Sequence, residues 1–344
     1  MKKYLFILLI FNIWGCSSQK PTKINNMFDN PNQMRIGFGS CLSQDKPMPI
    51  FNAIKSEDFD LFLMIGDNVY GDSKAEGLEE LASAYHRQKQ NFNKMKIDFP
   101  FEAIWDDHDY GLNDGGKEYL YKEKSKELFL DFWNIPSNDP RRNRSGLYHE
   151  VMRDFKGKKI QFIFLDTRTF RDALKPTDKK GAAGKERYLP NKDSSLTILG
   201  SEQWRWLKKK MENPVDYRVI ISSIQFLPIG HGWESWYNLP LERGRMIELI
   251  DNSNSEHTII LSGDRHRGGF YQLKTKQGNL ISEMTSSSLN VSYPNSEEAG
   301  PLRIGATFTE ENYGAIYFDG VKNTFSLMLK NMDGKVLQSF HLNN

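Results

Sequence analysis

Four times along this chain an apolar segment runs directly into side chains that can bind a metal. Met34–Ser40 ends at Cys41. DLFLMI ends in Gly66-Asp67-Asn68-Val69-Tyr70-Gly71-Asp72, FEAIW in Asp106-Asp107-His108-Asp109, and HTIILS in Gly263-Asp264-Arg265-His266. In open α/β sheets the rigid strands aim the residues after their carboxyl ends into one crevice. If these four strands are neighbours, several carboxylates, two imidazoles, a phenol and a thiol converge. Carboxylates sharing a buried site raise one another's pKa and are costly without a counter-charge. A metal cation removes that cost and holds oxygen, nitrogen and sulfur donors together. Any one segment alone is compatible with ordinary turn chemistry; three acidic clusters carrying a His or a Tyr together point to a metal site.

The remaining pattern is that of a layered α/β domain. Further strands are expected at Gly146–Asp154, Lys159–Asp166, Arg218–Ile224, Gly269–Lys274, Leu280–Met284, Gly314–Phe318 and Thr324–Asn331. Helices are expected at Gly77–Met95, Lys117–Trp133, Ser201–Met211 and Leu241–Asn252, with Ser201 as an N-cap. Lys175–Ser195 reads as a long surface loop, and the strands from about residue 268 onward read as a second sheet packed on the first. With 38% hydrophobic residues among 344, the chain can build a full core, which excludes a disordered or fibrous class. Lys plus Arg is 46 against 44 for Asp plus Glu, so nothing in the charge points to a nucleic-acid partner.

Residues 1–15 read as a lipoprotein signal peptide: Lys2 and Lys3, then an apolar run too short to span a bilayer. The ending Ile13-Trp14-Gly15-Cys16 resembles a bacterial lipobox, which makes Cys16 the lipidated residue, although Trp14 is bulkier than its usual occupant. Residues 16–33 then form a polar tether, and residues 34–344 one domain. The expected location is the bacterial cell envelope, lipid-anchored on the periplasmic side or at the surface, with the membrane as a partner through the anchor. If Cys16 carries lipid, the other cysteine, Cys41, is either a buried small hydrophobe or a thiolate with a task.

In their order along the chain, GSC, GDNVYGD, WDDHD, LDTRTFRD and SGDRH resemble the alkaline phosphatase D family of metallophosphoesterases, in the calcineurin-like superfamily. The resemblance covers about residues 34 to 290. It implies a sandwich of two mixed β-sheets flanked by helices. It also implies a two-metal phosphoric ester hydrolase, acting on monoesters or diesters through a metal-activated hydroxide. Carried over residue by residue, Asp67 bridges two metals; Cys41, Tyr70 and His266 bind the first; Asp107 and Asp264 bind the second. The implied pair is Fe³⁺ with Ca²⁺, with Zn²⁺ or Mn²⁺ as the other choices.

His108, beside a ligand, is assigned to catalysis as an acid or charge stabiliser. Arg168 of LDTR is assigned to the phosphate, with a salt bridge to Asp166 or Asp172 as its alternative. Asn68, Gln225 and His231 are placed with the substrate, and Trp233, Trp236 and Tyr237 form an apolar wall or merely pack their loop. His86, His149, His257 and His341 lack an acidic cluster and read as ordinary histidines. A separate N-terminal β domain is not expected, since GSC follows the tether closely. The rival functions are a phospholipase D-like phosphodiesterase, a metal-binding lipoprotein without hydrolysis, and a glycosidase with paired carboxylates, which would leave Cys41 and Tyr70 unused.

Overall fold

The structure, a computed structural model, describes residues 32–294 and 300–342. The signal peptide, Cys16 and nearly all of the tether therefore lie outside the described residues. In chain order the first half contains β1 (Gln33–Gly39), α1 (Ile50–Ser56), β2 (Leu61–Ile65), α2 (Glu79–Met95), β3 (Phe101–Ile104), α3 (Asp107–Tyr110) and α4 (Lys122–Phe132). It continues with β4 (His149–Phe155), β5 (Lys158–Phe164), β6 (Lys175–Pro176), β7 (Tyr188–Leu189), α5 (Gly200–Met211), β8 (Val215–Ser222) and α6 (Pro240–Asp251). The last part is all strand: β9 (Ser255–Ser262), β10 (Gly268–Lys274), β11 (Leu280–Ser286), β12 (Arg303–Phe308), β13 (Asn312–Asp319), β14 (Thr324–Asn331) and β15 (Val336–Leu342).

Two mixed sheets result. One runs β15-β14-β13-β1-β2-β3, with β1, β2 and β3 parallel. The other runs β12-β10-β11-β9-β8-β5-β4, with β5, β8, β9 and β11 parallel. The five residues of β2, LFLMI, are all buried; β2 has a strand on either side, and Phe62 packs on Phe51 of α1 with ring centroids 6.3 Å apart. Between the sheets Tyr217 of β8 packs on Phe318 of β13 and Phe325 of β14, with ring centroids 5.1 and 4.3 Å apart. A second apolar layer lies where Trp204 and Leu207 of α5 and Met246 of α6 cover Ile163, Ile220 and Ile260. β1 needs its glycine at position 37: a Cβ there would stand 2.4 Å from the Phe62 ring.

Three expectations are corrected by this architecture. The strands after residue 268 do not make a sheet of their own, because β10 to β12 extend the sheet of β4, β5, β8 and β9 while β13 to β15 join β1. Alternation identifies a strand but does not choose its neighbour. Ser201 is not the cap of α5; the helix starts at Gly200, whose N–H donates to Thr197 Oγ1 at 2.9 Å. The segment read as a long surface loop holds the two-stranded β6–β7 hairpin, docked by the N–H groups of Arg187 and Tyr188 on Gly232 O at 2.9 and 2.7 Å.

Candidate metal centre

The parallel strands decide where the ligands go. Cys41 follows β1, and its N–H donates to Gly66 O after β2 (3.3 Å), while Leu42 N–H donates to Asp67 O (2.9 Å). The second sheet closes on the first at the same end. Ser223, after β8, donates from Oγ to Asp106 Oδ1 after β3 (2.6 Å), and Leu289 N–H donates to Ser40 O (3.0 Å). Four of the expected ligands take a left-handed backbone: Cys41 (φ 59°), Asp67 (φ 48°), Asp264 (φ 67°) and His266 (φ 52°). For residues other than Gly this is costly and persists only where the surroundings enforce it. Here it turns each side chain out of its strand direction and into one crevice.

Asp67 lies at the middle. Its Oδ2 is 3.4 Å from Cys41 Sγ and 3.3 Å from the Tyr70 hydroxyl, and its Oδ1 accepts from His108 N–H at 3.3 Å. One donor atom each from Cys41, Asp67 and His266 falls within 4.8 Å of the others. The same holds for Asp67, Asp107 and His108, for Asp106, Asp107 and Asp264, and for Asp107, Asp114 and Glu234. Asp67 belongs to the first two groups and Asp107 to the last three, so the donors form one continuous string. His266 Nδ1 is 2.8 Å from Val291 O, which makes it the protonated nitrogen and leaves Nε2 as a bare acceptor.

The electrostatics fit a cation site. Burial, followed by the charge of Asp107, raises the Asp67 carboxyl well above its usual range. Burial and then Asp106 and Asp107 do the same to Asp264, and burial with Asp67 raises the Cys41 thiol. Each anion is thus disfavoured by the protein alone and would be stabilised by a positive ion. Burial lowers His266 to about 4, so it is neutral and able to ligate. Burial opposes a charge on His108 too, but Asp107, Asp67 and Asp72 outweigh it and raise the ring to about 11. Asp72 accepts from His108 Nδ1 at 2.6 Å. The thiol, imidazole and carboxylates gathered around Asp67 are donor types that hold metal cations.

The centre opens into a cleft of about 1070 Å³, walled by Asp107, His108, Asp264 and His266 on one side and by Arg187 and Tyr188 of the hairpin on the other. A model of the PhoD-like phosphatases matches residues 37–321. The chain belongs to the PhoD-like phosphatase family. Alkaline phosphatase D of Bacillus subtilis (strain 168) is 26% identical to it in an alignment of 275 positions that covers 69% of this chain and 46% of that protein. The chain therefore spans under half the length of that curated relative. A solved PhoD structure superposes with a TM-score of 0.66 at 17% identity, covering 90% of this chain and 68% of the other. A purple acid phosphatase from yellow lupin (Lupinus luteus) seeds superposes at 0.58 with 12% identity, covering 90% of this chain and 54% of its own. Both likenesses concern the fold alone, a sandwich of two mixed sheets.

In this PhoD-like chain, Cys41, Asp67, Tyr70, Asp107, Asp264 and His266 come together, with His108 beside them. Four other site residues do not reach the cleft. Arg168 is fully buried: Nε is 2.6 Å from Asp106 Oδ1 and one terminal nitrogen 2.7 Å from Glu234 Oε2, so neither the phosphate nor Asp166 or Asp172 receives its guanidinium. Asn68 points inward, with Nδ2 on Asp109 (2.5 Å) and on Ile104 O (3.0 Å). Gln225 is buried against Thr285 Oγ1 (3.0 Å) and Tyr271. His231 is buried beside the cleft rather than lining it. Of the expected aromatic wall only Trp233 lines the cleft, since Trp236 packs on Phe226 and donates to Ser222 Oγ (3.0 Å).

Other residues of the site carry no mark in the sequence. Ser287 Oγ sits 3.1 Å from Cys41 Sγ and accepts from His266 N–H (2.9 Å), tying two of the expected ligands together. Asp114 N–H donates to Asp107 Oδ2 (2.7 Å). Glu234 anchors Arg168 and Arg171 (3.1 Å). No local signal singles out Ser287 or Glu234, whereas Asp72 stands in plain view in GDNVYGD.

Proposed function

We propose that this chain is a phosphoric ester hydrolase for monoesters or diesters, working on two cations. Cys41, Tyr70 and His266 with Asp67 would hold the first, and Asp67 with Asp107 and Asp264 the second. Fe³⁺ beside the phenol of Tyr70 and Ca²⁺ among the carboxylates agree best with the donors, with Zn²⁺ or Mn²⁺ as the pairs elemental analysis would distinguish. Bound there, the cations would supply Lewis acidity toward phosphoryl oxygens and make hydroxide accessible near neutral pH.

The chain's own residues do the rest. Asp72 fixes the His108 ring through Nδ1, and the carboxylates around it keep it charged. His108 is therefore placed to stabilise charge on the transferring group or to give its proton to the leaving oxygen. The deep burial of Asp67 and Asp107 keeps bulk water from screening these interactions. The observation carrying the reading is the position of Asp67, which belongs both to the group with Cys41 and His266 and to the group with Asp107 and His108.

Turnover of 4-nitrophenyl phosphate and bis(4-nitrophenyl) phosphate by purified protein, before and after dialysis against a chelator, tests the reading. Hydrolysis that disappears with the metal and returns with it is expected. Hydrolysis that survives complete metal removal, or none of either ester with both metals bound, would overturn it. The lipobox supports anchoring through Cys16 outside the cytoplasm, and among the described residues no helix is long and apolar enough to cross a membrane. Labelled palmitate incorporated by the parent protein but not by Cys16→Ser is the expected outcome; equal labelling would refute the anchor.

A further inference from the structure

Ser287 directly follows β11 and is fully buried, out of reach of bulk solvent. Its backbone is pinned on both sides. Its own N–H donates to Arg267 O (3.1 Å), and Asn312 N–H donates to the carbonyl of the next residue, Ser288 (2.9 Å). Among the described residues its hydroxyl has two hydrogen-bond partners: the N–H of His266 at 2.9 Å and Cys41 Sγ at 3.1 Å.

Those two partners fix the direction of the hydroxyl proton. A backbone N–H only donates, so His266 uses a lone pair of Oγ and leaves the proton free. A buried hydroxyl proton without an acceptor is costly, and the sulfur is the acceptor at hand. The thiol has an acceptor of its own in Asp67 Oδ2, 3.4 Å away. A sulfur bound to a cation has lost its proton, and then only the hydroxyl can donate across this contact. Ser40 offers the sulfur less: its Oγ is 3.6 Å away and has a carbonyl acceptor in Ser286 O (3.4 Å).

We infer that Ser287 is a positioning residue that acts on the metal through Cys41. Its hydroxyl donates to the ligating sulfur and draws charge from it, while its oxygen fixes the backbone of His266, a second ligand of the same cation. The inference rests on Cys41 and His266 as ligands of the proposed centre, and not on which ester is hydrolysed. Hydrogen bonds to a ligating sulfur tune the metal it binds, and groups that hold metal ligands in place are worth about 10- to 100-fold in metal affinity. The low dielectric around a fully buried hydroxyl strengthens the effect.

Co²⁺ titrated into the chelated protein tests this. The protein carries Cys16→Ser, so that Cys41 is its one remaining thiol. A thiolate bound to Co²⁺ gives a sulfur-to-metal charge-transfer band, whereas the weaker d–d bands report the geometry around the ion. Ser287→Ala should move the charge-transfer band to longer wavelength, because the sulfur keeps more of its charge. It should also weaken Co²⁺ binding by about 10- to 100-fold, with the d–d bands keeping their pattern. Ser287→Thr, which retains a hydroxyl, should leave the charge-transfer band near its parent position. A role in packing alone would alter the affinity or the d–d bands and leave the charge-transfer band in place. That result, or an equal shift in Ser287→Thr, would overturn the inference while Cys41 stays a ligand. Bound Co²⁺ with no charge-transfer band before Ser287 is changed would instead remove Cys41 from the metal centre, and with it the proposed ligand set.

Discussion

Arg168 reaches Asp106 inside the protein, with Nε 2.6 Å from Oδ1 and side-chain exposures of 0% and 1%. The pair joins the loop after β5 to the loop after β3, one residue before the proposed ligand Asp107. Ser223 after β8 and Glu234 complete the junction. Both sheets of the sandwich thus meet at a charge network directly behind the metal centre.

Arg168→Met would leave Asp106 and Glu234 buried without their cation. Breaking one side of a buried pair costs about 3–5 kcal/mol. The thermal midpoint should fall by roughly 5–15 °C for a domain of this size. Scanning calorimetry reads this directly, and a midpoint equal to that of the parent would show that the pair does not hold the loops.

Asp67→Ala removes the carboxylate common to the two donor groups at the middle of the site. The variant should lose bound metal by elemental analysis and fall to background turnover. Full retention of both metals would rule out the bridging position.

His108→Ala leaves the Cys41, Asp67 and His266 group in place. The variant should keep its metal while losing rate by about 10²–10⁴-fold, the usual worth of a general acid. Asp72→Asn, which only loosens the ring through Nδ1, should lose less. Steady-state kinetics on an aryl phosphate separates these; unchanged rates in His108→Ala would remove it from the chemistry.

Stability of the chelated protein should fall as pH rises from about 6.5 to about 8. Burial chiefly raises Asp106 to about 7 and Asp109 to about 8, so the folded chain keeps protons there that the unfolded chain, near 3.8, has released. Against burial, Asp107, Asp67 and Asp72 hold His108 near 11, which acts in the same direction above its ordinary 6.5. His266, His149 and His231 are lowered chiefly by burial and act in the opposite direction, but only below about 6.5. Above that pH the folded state binds more protons than the unfolded one, and the slope is negative. Urea midpoints across this range check it, and a constant or rising midpoint would contradict these protonation states.

Much of the site was legible because its donors directly follow apolar strands: Cys41, Asp67, Asp107 and Asp264 are found by reading where a buried run stops. The fold class was legible for the same reason, as were most of the long strands and α2, α4, α5 and α6. Short elements were not. β6, β7, β12, β15 and α1 carry too few residues, or too mixed a pattern, for a period to stand out. Arg168, Asn68 and Gln225 were misplaced because a polar side chain after a strand has two directions open to it, toward solvent or into the protein.

The sequence by itself determined which segments become strands, which donor types follow them and which family the motifs match. Period and burial are local properties, written in consecutive residues. Only the tertiary structure decided that the C-terminal strands divide between the two sheets, that Arg168 pairs with an aspartate 62 positions earlier, and that the Ser287 hydroxyl meets the Cys41 sulfur. Those outcomes depend on which distant surfaces bury one another best, a sum over contacts that no stretch of neighbouring residues contains.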